Sequence, residues 1–285
     1  MVITEKEYAL FKILLDKKLG IVLKGDGRMT LQSRLSRRLV DLNVGSFEDY
    51  HDLVTSDLSG SELSYFISQI TNKETYFLRE REGFALFGSL LRDLKSSRQK
   101  RNQKQVTVVS AGCSTGEEVY ALSIILIESG LFAWGWDIKV LGVDVSSAAI
   151  EKARNAVYRE DSFRGLRGDE EFCKKYFDGA DGLFVPKKLY RSCVEFRQGN
   201  ILDPHVLDHA GEIDVIFCRN VFIYMSDTAV RRIAGNFFSR LAGEGYLVIG
   251  STESLVNKTA LFIPEYREGA IVYKKNSWVT APENR

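Results

Sequence analysis

Residues 106–118 read VTVVSAGCSTGEE, and this stretch decides the fold. VTVVSA is an unbroken apolar run with β-branched residues, the profile of a strand buried on both faces. Gly112 to Gly116 then make a turn of small residues, and a helical pattern continues over Glu117–Ser129. Small side chains let a backbone approach a ligand closely, while a helix start offers free N–H groups. The spacing is not GxGxxG, and two carboxylates, Glu117 and Glu118, occupy the first helical turn. They would repel a pyrophosphate but suit a ligand carrying a cationic amine or sulfonium. Either acid alone reads equally as an ordinary residue favoured by the helix dipole.

The same rhythm continues outward. IKVLGVD (138–144), VEF (194–196), IDVIFC (213–218) and YLVIG (246–250) read as further strands, with helical patterns at AAIEKARNAV and Asp227–Leu241. Apolar strands alternating with amphipathic helices predict a mostly parallel sheet covered on both faces. Asp144 ends the second strand, 28 residues after Gly116. An acid there accepts hydrogen bonds from the ribose hydroxyls of a nucleoside, or else caps the next helix. Cys218-Arg219-Asn220-Val221-Phe222-Ile223-Tyr224 leaves the fourth strand, and Asn200 comes after the third. Ligands of open α/β sheets bind beyond these carboxyl ends. Arg219 alone reads equally as a side chain snorkelling to solvent. Together the small-residue loop, the helix-start acids and Asp144 favour an S-adenosylmethionine (SAM) fold over a dinucleotide fold.

Upstream, residues 1–80 read as a helical domain, with Leu31, Leu35, Leu39 and Leu42 at helical spacing and Ser46 placed to cap a helix. Thr71–Glu80 joins this domain to the α/β region. Residues 81–105 are expected to form a linker helix, whose basic stretch Arg92–Lys104 carries a local charge of +5 and reads as solvated. The SAM domain is placed at 106–275 with a β-prone insertion at about 158–193, and 276–285 as a loose tail. The chain has 285 residues and a net charge of +1, so no global field recommends nucleic acid or an anionic membrane. Four scattered cysteines and three histidines give neither a disulfide framework nor a metal site. The acidic start and the lack of a long apolar run predict a cytoplasmic protein without membrane insertion.

KETYFLRE (73–80), SAGCSTGEEVYALS (110–123), DVSSAAIEKA (144–153), FRQGNILD (196–203) and FCRNVFIYM (217–225) resemble the bacterial CheR family of chemoreceptor glutamate methyltransferases. The resemblance covers about residues 8–274. It implies a class I SAM-dependent methyltransferase domain of Rossmann-like α/β type with an inserted antiparallel β subdomain, behind a small all-α domain. It implies methyl-ester formation on receptor glutamates, with S-adenosylhomocysteine (SAH) as product, in chemotaxis signal transduction. The SAM contacts it implies are Lys73, Thr75, Arg79, Glu117, Asp144, Asn200, Ile201, Arg219 and Asn220. Glu118 matches the motif as well as Glu117 does. Lys73 stands where many members carry Asn, and a fixed cation there calls for an acid such as Glu74 nearby. Arg79 and Tyr224 are the expected catalytic pair, holding the carboxylate. Since a carboxylate is already nucleophilic at neutral pH, no general base is needed. Arg28, Arg34, Arg37 and Arg38 give residues 24–38 a local +4, and the resemblance implies that they face the acidic helices of a receptor. The chain is expected to act as a monomer, without metal. Methylation of another protein or carboxylate, or SAM binding by a non-catalytic adaptor, are the competing readings.

The insertion is expected to hold strands at Leu183–Val185 and Leu189–Arg191. Relatives that grip a receptor's tail peptide add it as an extra strand beside a longer glycine-containing loop. Here the Asp178–Gly182 connection is short and Pro186 lacks an N–H, which predicts recognition without the tail.

Overall fold

The structure, a computed structural model, describes residues 1–166 and 170–279. Four helices come first: α1 (Glu5–Leu19), α2 (Gly27–Asp41), α3 (Phe47–Ser56) and α4 (Ser61–Ile70). Their starts are written locally. Thr4 and Glu7 form a reciprocal capping box on α1, while the Asp26 and Ser46 side chains cap α2 and α3. Phe11, Leu15, Leu31, Leu35, Phe47, Tyr50 and Phe66 close a core of their own.

The rest of the described chain is organised by one seven-stranded sheet. Its strands are β1 (Gln105–Ala111), β2 (Asp137–Asp144), β5 (Val194–Gln198), β6 (Ile213–Cys218), β7 (Leu241–Ile249), β8 (Phe262–Arg267) and β9 (Ala270–Lys275), in the order β5-β2-β1-β6-β7-β9-β8. The first five run parallel, and β9 and β8 complete the edge antiparallel. The last two were not expected from the sequence. They form a hairpin at an edge, where FIPEYR and AIVYKK mix apolar and charged residues too evenly to stand out. Strand order reverses between β1 and β6, so a crevice opens at their carboxyl ends.

Helices α5 (Arg81–Lys100), α6 (Glu117–Glu128), α7 (Ser147–Asn155) and α10 (Asp227–Arg240) cover the sheet. The expected linker helix is corrected here: α5 buries Phe84, Leu86, Phe87, Leu90, Leu91 and Leu94 in the sheet's own core. Its basic end is not wholly solvated either. Arg98 is 3% exposed and makes paired bonds to Asp214 of 2.6 and 2.9 Å, with a third bond to Glu212.

The insertion holds α8 (Glu170–Tyr176), β3 (Phe177–Ala180), β4 (Leu183–Pro186) and α9 (Lys188–Arg191). The strand expected at Leu189–Arg191 is therefore helical, and residues 178–180 of the expected Asp178–Gly182 connection belong to a strand. Asp181 and Gly182, both at positive φ, make the two-residue turn between β3 and β4. Both central residues at positive φ is what a tight hairpin demands, and Asp-Gly meets it. Of the expected loose tail, Asn276 is tied to Leu261 through its backbone N–H; residues 280–285 lie outside the described residues.

Candidate active site

A cavity lies at the carboxyl ends of β1, β2 and β6. Its lining includes Gly112, Cys113, Ser114, Glu118, Asp144, Asn200, Ile201, Arg219, Asn220 and Tyr224 from the sheet side. The segment 71–76 and Arg79 form one flank, and Leu19 and Ile21 from the helical domain form another. That domain is fastened down by backbone bonds: Val22 N–H to Tyr224 O at 2.8 Å and Ser226 N–H to Gly20 O at 2.8 Å. Gly20 caps α1 at φ +66, and a Cβ there would come 2.4 Å from Ala229 Cβ. Only glycine permits this contact.

The glycine loop lines the cavity and packs against the chain that leaves β6. Gly112 has φ +81, and a Cβ would fall 2.5 Å from Val221, so the loop lies against the β6 turn. Asp144 receives the Ser114 N–H on one carboxylate oxygen and the Ser146 N–H on the other, each at 2.9 Å. Ser146, not Asp144, caps α7. Burial pushes the Asp144 carboxyl up, against the pull of those two N–H groups and of Lys73. Lys73 lines the cavity half-buried; burial and the neighbouring Lys152 lower its pKa, and Asp144 raises it. The acid that offsets Lys73 is thus Asp144, while Glu74 lies 3.6 Å from Arg164.

The two helix-start glutamates part company. Glu117, 3% exposed, accepts from Thr115 Oγ1 at 2.7 Å and Ser162 Oγ at 3.0 Å, and burial pushes its carboxyl up. It does not line the cavity. Glu118 does, accepting from Ser110 Oγ at 2.8 Å and Arg219 Nη1 at 3.0 Å. The ligand contact was expected at Glu117, whereas the carboxylate that opens on the cavity is that of Glu118. Consecutive residues on a helix point about 100° apart, so one turn toward the cavity excludes the other.

Arg219 does not snorkel. Its side chain is 3% exposed, lies 5.0 Å over the Phe84 ring, and meets Glu118 and Glu80 on opposite sides. Its Nη2 also donates to the carbonyls of Arg79 and Glu80. Asn220, at φ +57, donates through Nδ2 to Glu80 at 2.8 Å. Arg79 lines the cavity with its Nη1 on the Glu74 carbonyl at 2.6 Å, and Thr75 lines it beside Tyr76. Asn200 spends its amide on the Lys18 carbonyl at 2.7 Å and the Leu202 N–H at 3.0 Å, so it braces α1 as well as facing the cavity.

Two acids in this scaffold were missed from sequence. Glu80 gathers Arg219, Asn220 and the Ser251 N–H, and its place at the end of KETYFLRE was the available signal. Glu253 accepts the Asn220, Ile223 and Gly250 N–H groups; nothing local in the sequence marked it.

Among the expected docking arginines, Arg37 is exposed. Arg28 pairs with Glu5 at 2.6 Å, and Arg34 reaches the Gln69 and Ile70 carbonyls at the end of α4. Arg38 is engaged within the helical domain. It forms two bonds to Glu62, which is 8% exposed at its side chain, and stacks 4.1 Å over Tyr65. Tyr50 donates to the same carboxylate, so Arg38 holds the helical core together. Among the described residues no group of side chains has the composition of a metal site, and no helix is long and apolar enough to cross a membrane.

Residues 73–268 match the family model described as the SAM-binding domain of CheR methyltransferases, and residues 6–71 match the all-alpha domain of the same enzymes. The chain is 29% identical over 277 residues to chemotaxis protein methyltransferase 2 of Vibrio cholerae, covering 96% of this chain and 94% of that one. It is 31% identical over 262 residues to chemotaxis protein methyltransferase 2 of Pseudomonas aeruginosa, covering 90% of each. With the chemotaxis protein methyltransferase of Escherichia coli it shares 29% identity over 259 residues, 89% of this chain and 86% of the other.

Proposed function

The chain belongs to the CheR methyltransferase family, and from that premise we propose that it methylates glutamate side chains on the cytoplasmic helices of a methyl-accepting chemoreceptor, with SAM as donor. The observation that carries this reading is the convergence of Asp144, Glu118, Arg79 and Tyr224 on one cavity. The residues fit SAM. Each Asp144 oxygen holds one N–H and keeps acceptor capacity for a ribose hydroxyl. Glu118 offers a carboxylate to an amino group, and Gly112 brings the loop backbone to the cavity wall. SAM supplies a methyl group on a sulfonium with its own leaving group.

The protein's task is alignment and charge management. Arg219 lies between Glu118 and Glu80, so its charge is offset where a sulfonium is to be tolerated. Arg79 and Tyr224 hold the incoming carboxylate, which needs no general base. The Arg79 guanidinium already shares the Glu74 carbonyl, which limits how tightly it grips and so how far it blunts the nucleophile. Receptor helices dock on α2 through exposed Arg37 with Arg28 and Arg34, without need of a receptor tail peptide. Arg38, bonded to Glu62, is assigned to holding the helical domain together rather than to docking.

The test is transfer of radiolabelled methyl from SAM to the cytoplasmic fragment of a chemoreceptor from the same organism, read as base-labile label. Arg79→Ala is expected to cut turnover far more than it cuts SAM affinity. Labelling of other proteins only, or SAM binding with no transfer to any protein, would replace this reading by one of its competitors.

A further inference from the structure

Tyr224 stands in a short turn after β6, and its main chain is well held: its carbonyl accepts from Val22 N–H, and its N–H donates to Val221 O at 3.1 Å. The phenol hydrogen is another matter, because a hydroxyl rotates to suit its partners. Asn72 Nδ2 lies 2.8 Å from the Tyr224 hydroxyl oxygen, across 152 residues of sequence. Which end of the amide faces the tyrosine is decided by its other contact. Asn72 Oδ1 accepts the Glu74 backbone N–H at 3.1 Å, and a backbone N–H can only donate. The NH2 group therefore points at the phenol, and the phenol oxygen accepts.

A hydroxyl that accepts on one side must direct its single hydrogen elsewhere. No other side-chain partner meets this hydroxyl among the described residues, and Asn72, Glu74, Arg79 and Tyr224 all line the cavity. Glu74 ties the arrangement together. Its N–H fixes Asn72, and its carbonyl fixes Arg79 Nη1 at 2.6 Å. The two donors meant for the substrate carboxylate are thus both referenced to one residue.

We propose that Asn72 is a positioning residue that keeps the Tyr224 hydroxyl hydrogen on the cavity side, ready to donate to the incoming carboxylate. This rests on the role given to Tyr224 above, and the experiment separates the two. Asn72→Ala removes the donor and leaves the phenol free to rotate. Asn72→Asp is nearly isosteric and keeps the acceptor for Glu74 N–H, but it presents a carboxylate oxygen that takes the phenol hydrogen and turns it away.

Initial rates of labelled methyl transfer to the receptor fragment are measured for Asn72→Ala, Asn72→Asp and Tyr224→Phe, singly and combined, with SAM affinity by calorimetry. Asn72→Ala is expected to lower kcat about fivefold, the worth of one hydrogen bond, and Asn72→Asp to lower it further. SAM affinity should stay within about twofold throughout, on the same scale of bond energies. In the Tyr224→Phe background Asn72→Ala should have almost no further effect, and Asn72→Asp only the residual cost of its charge beside an anionic substrate. Wild-type turnover by Asn72→Asp, or equal losses from Asn72→Ala with and without the tyrosine hydroxyl, would overturn the inference while leaving a slow Tyr224→Phe to support the tyrosine. Full activity of Tyr224→Phe would remove both.

Discussion

Neutralising the two helix-start glutamates one at a time tests the site most directly. Glu118→Gln leaves the side chain's shape but removes the charge facing the cavity. A hydrogen bond to a charged group contributes about 1.5–3 kcal/mol. At 1.4 kcal/mol per tenfold, its loss to a ligand amino group weakens SAM and SAH binding by about 10- to 150-fold. Arg219 retains Glu80 as partner, so the fold should survive. Glu117→Gln should behave oppositely. A glutamine accepts from one of the Thr115 and Ser162 hydroxyls and donates through its NH2 to the other, which can rotate to accept, and SAM affinity should stay within about twofold, well inside one hydrogen bond's worth. Because burial raises the Glu117 carboxyl in the folded protein, the native state binds the extra proton and stability falls as pH rises through that window. At neutral pH the charge is a cost, so removing it should leave stability equal or higher. Calorimetric titration of SAH into both variants, with urea unfolding at pH 7, gives the answer. A larger affinity loss in Glu117→Gln than in Glu118→Gln would refute the assignment.

Arg38→Ala should destabilise the helical domain by about 2 kcal/mol, because it strands the Glu62 carboxylate, with the cost reduced by Arg38's partial exposure. Arg37→Glu should change stability by less than about 0.5 kcal/mol yet weaken receptor-fragment binding, in a salt-dependent way. The bond to Arg38 holds Glu62 below the usual carboxylate range, so its stabilising contribution is full near neutrality and is lost as pH falls through its folded pKa; acid unfolding of wild type against Arg38→Ala reads this. Asp144→Ala should weaken SAM and SAH alike, and wild-type affinity should fall on acidification with a midpoint above the ordinary Asp value of about 3.9. Gly20→Ala, forced to positive φ against Ala229, should cost about 1–2 kcal/mol in φ strain alone and lower SAM affinity as Leu19 and Ile21 shift; an unchanged melting temperature and affinity would show that the helical domain is not a wall of the site.

The strand–turn–helix at 106–129 and the acid at Asp144 were legible because both are local: period, turn chemistry and strand end lie within a few residues. The hairpin at 177–186 should have been legible too, through Asp181-Gly182, and was misplaced because its flanking strands are only four residues each. The β8–β9 hairpin escaped because an edge pair needs no clean apolar alternation.

By itself the sequence determined the five parallel strands, the preceding helices, the glycine loop and the set of candidate residues, since each depends on neighbours along the chain. Only the tertiary structure decided what each charge faces. Glu117 and Glu118 are adjacent in sequence, yet one is sealed against Ser162 and the other opens on the cavity, according to how α6 is rotated against the sheet. Arg38 is committed to Glu62, Arg98 to Asp214 and Arg219 to Glu118 and Glu80, across 24 to 139 residues. Local periodicity fixes where a side chain leaves its element. The packing of distant elements fixes what it meets there.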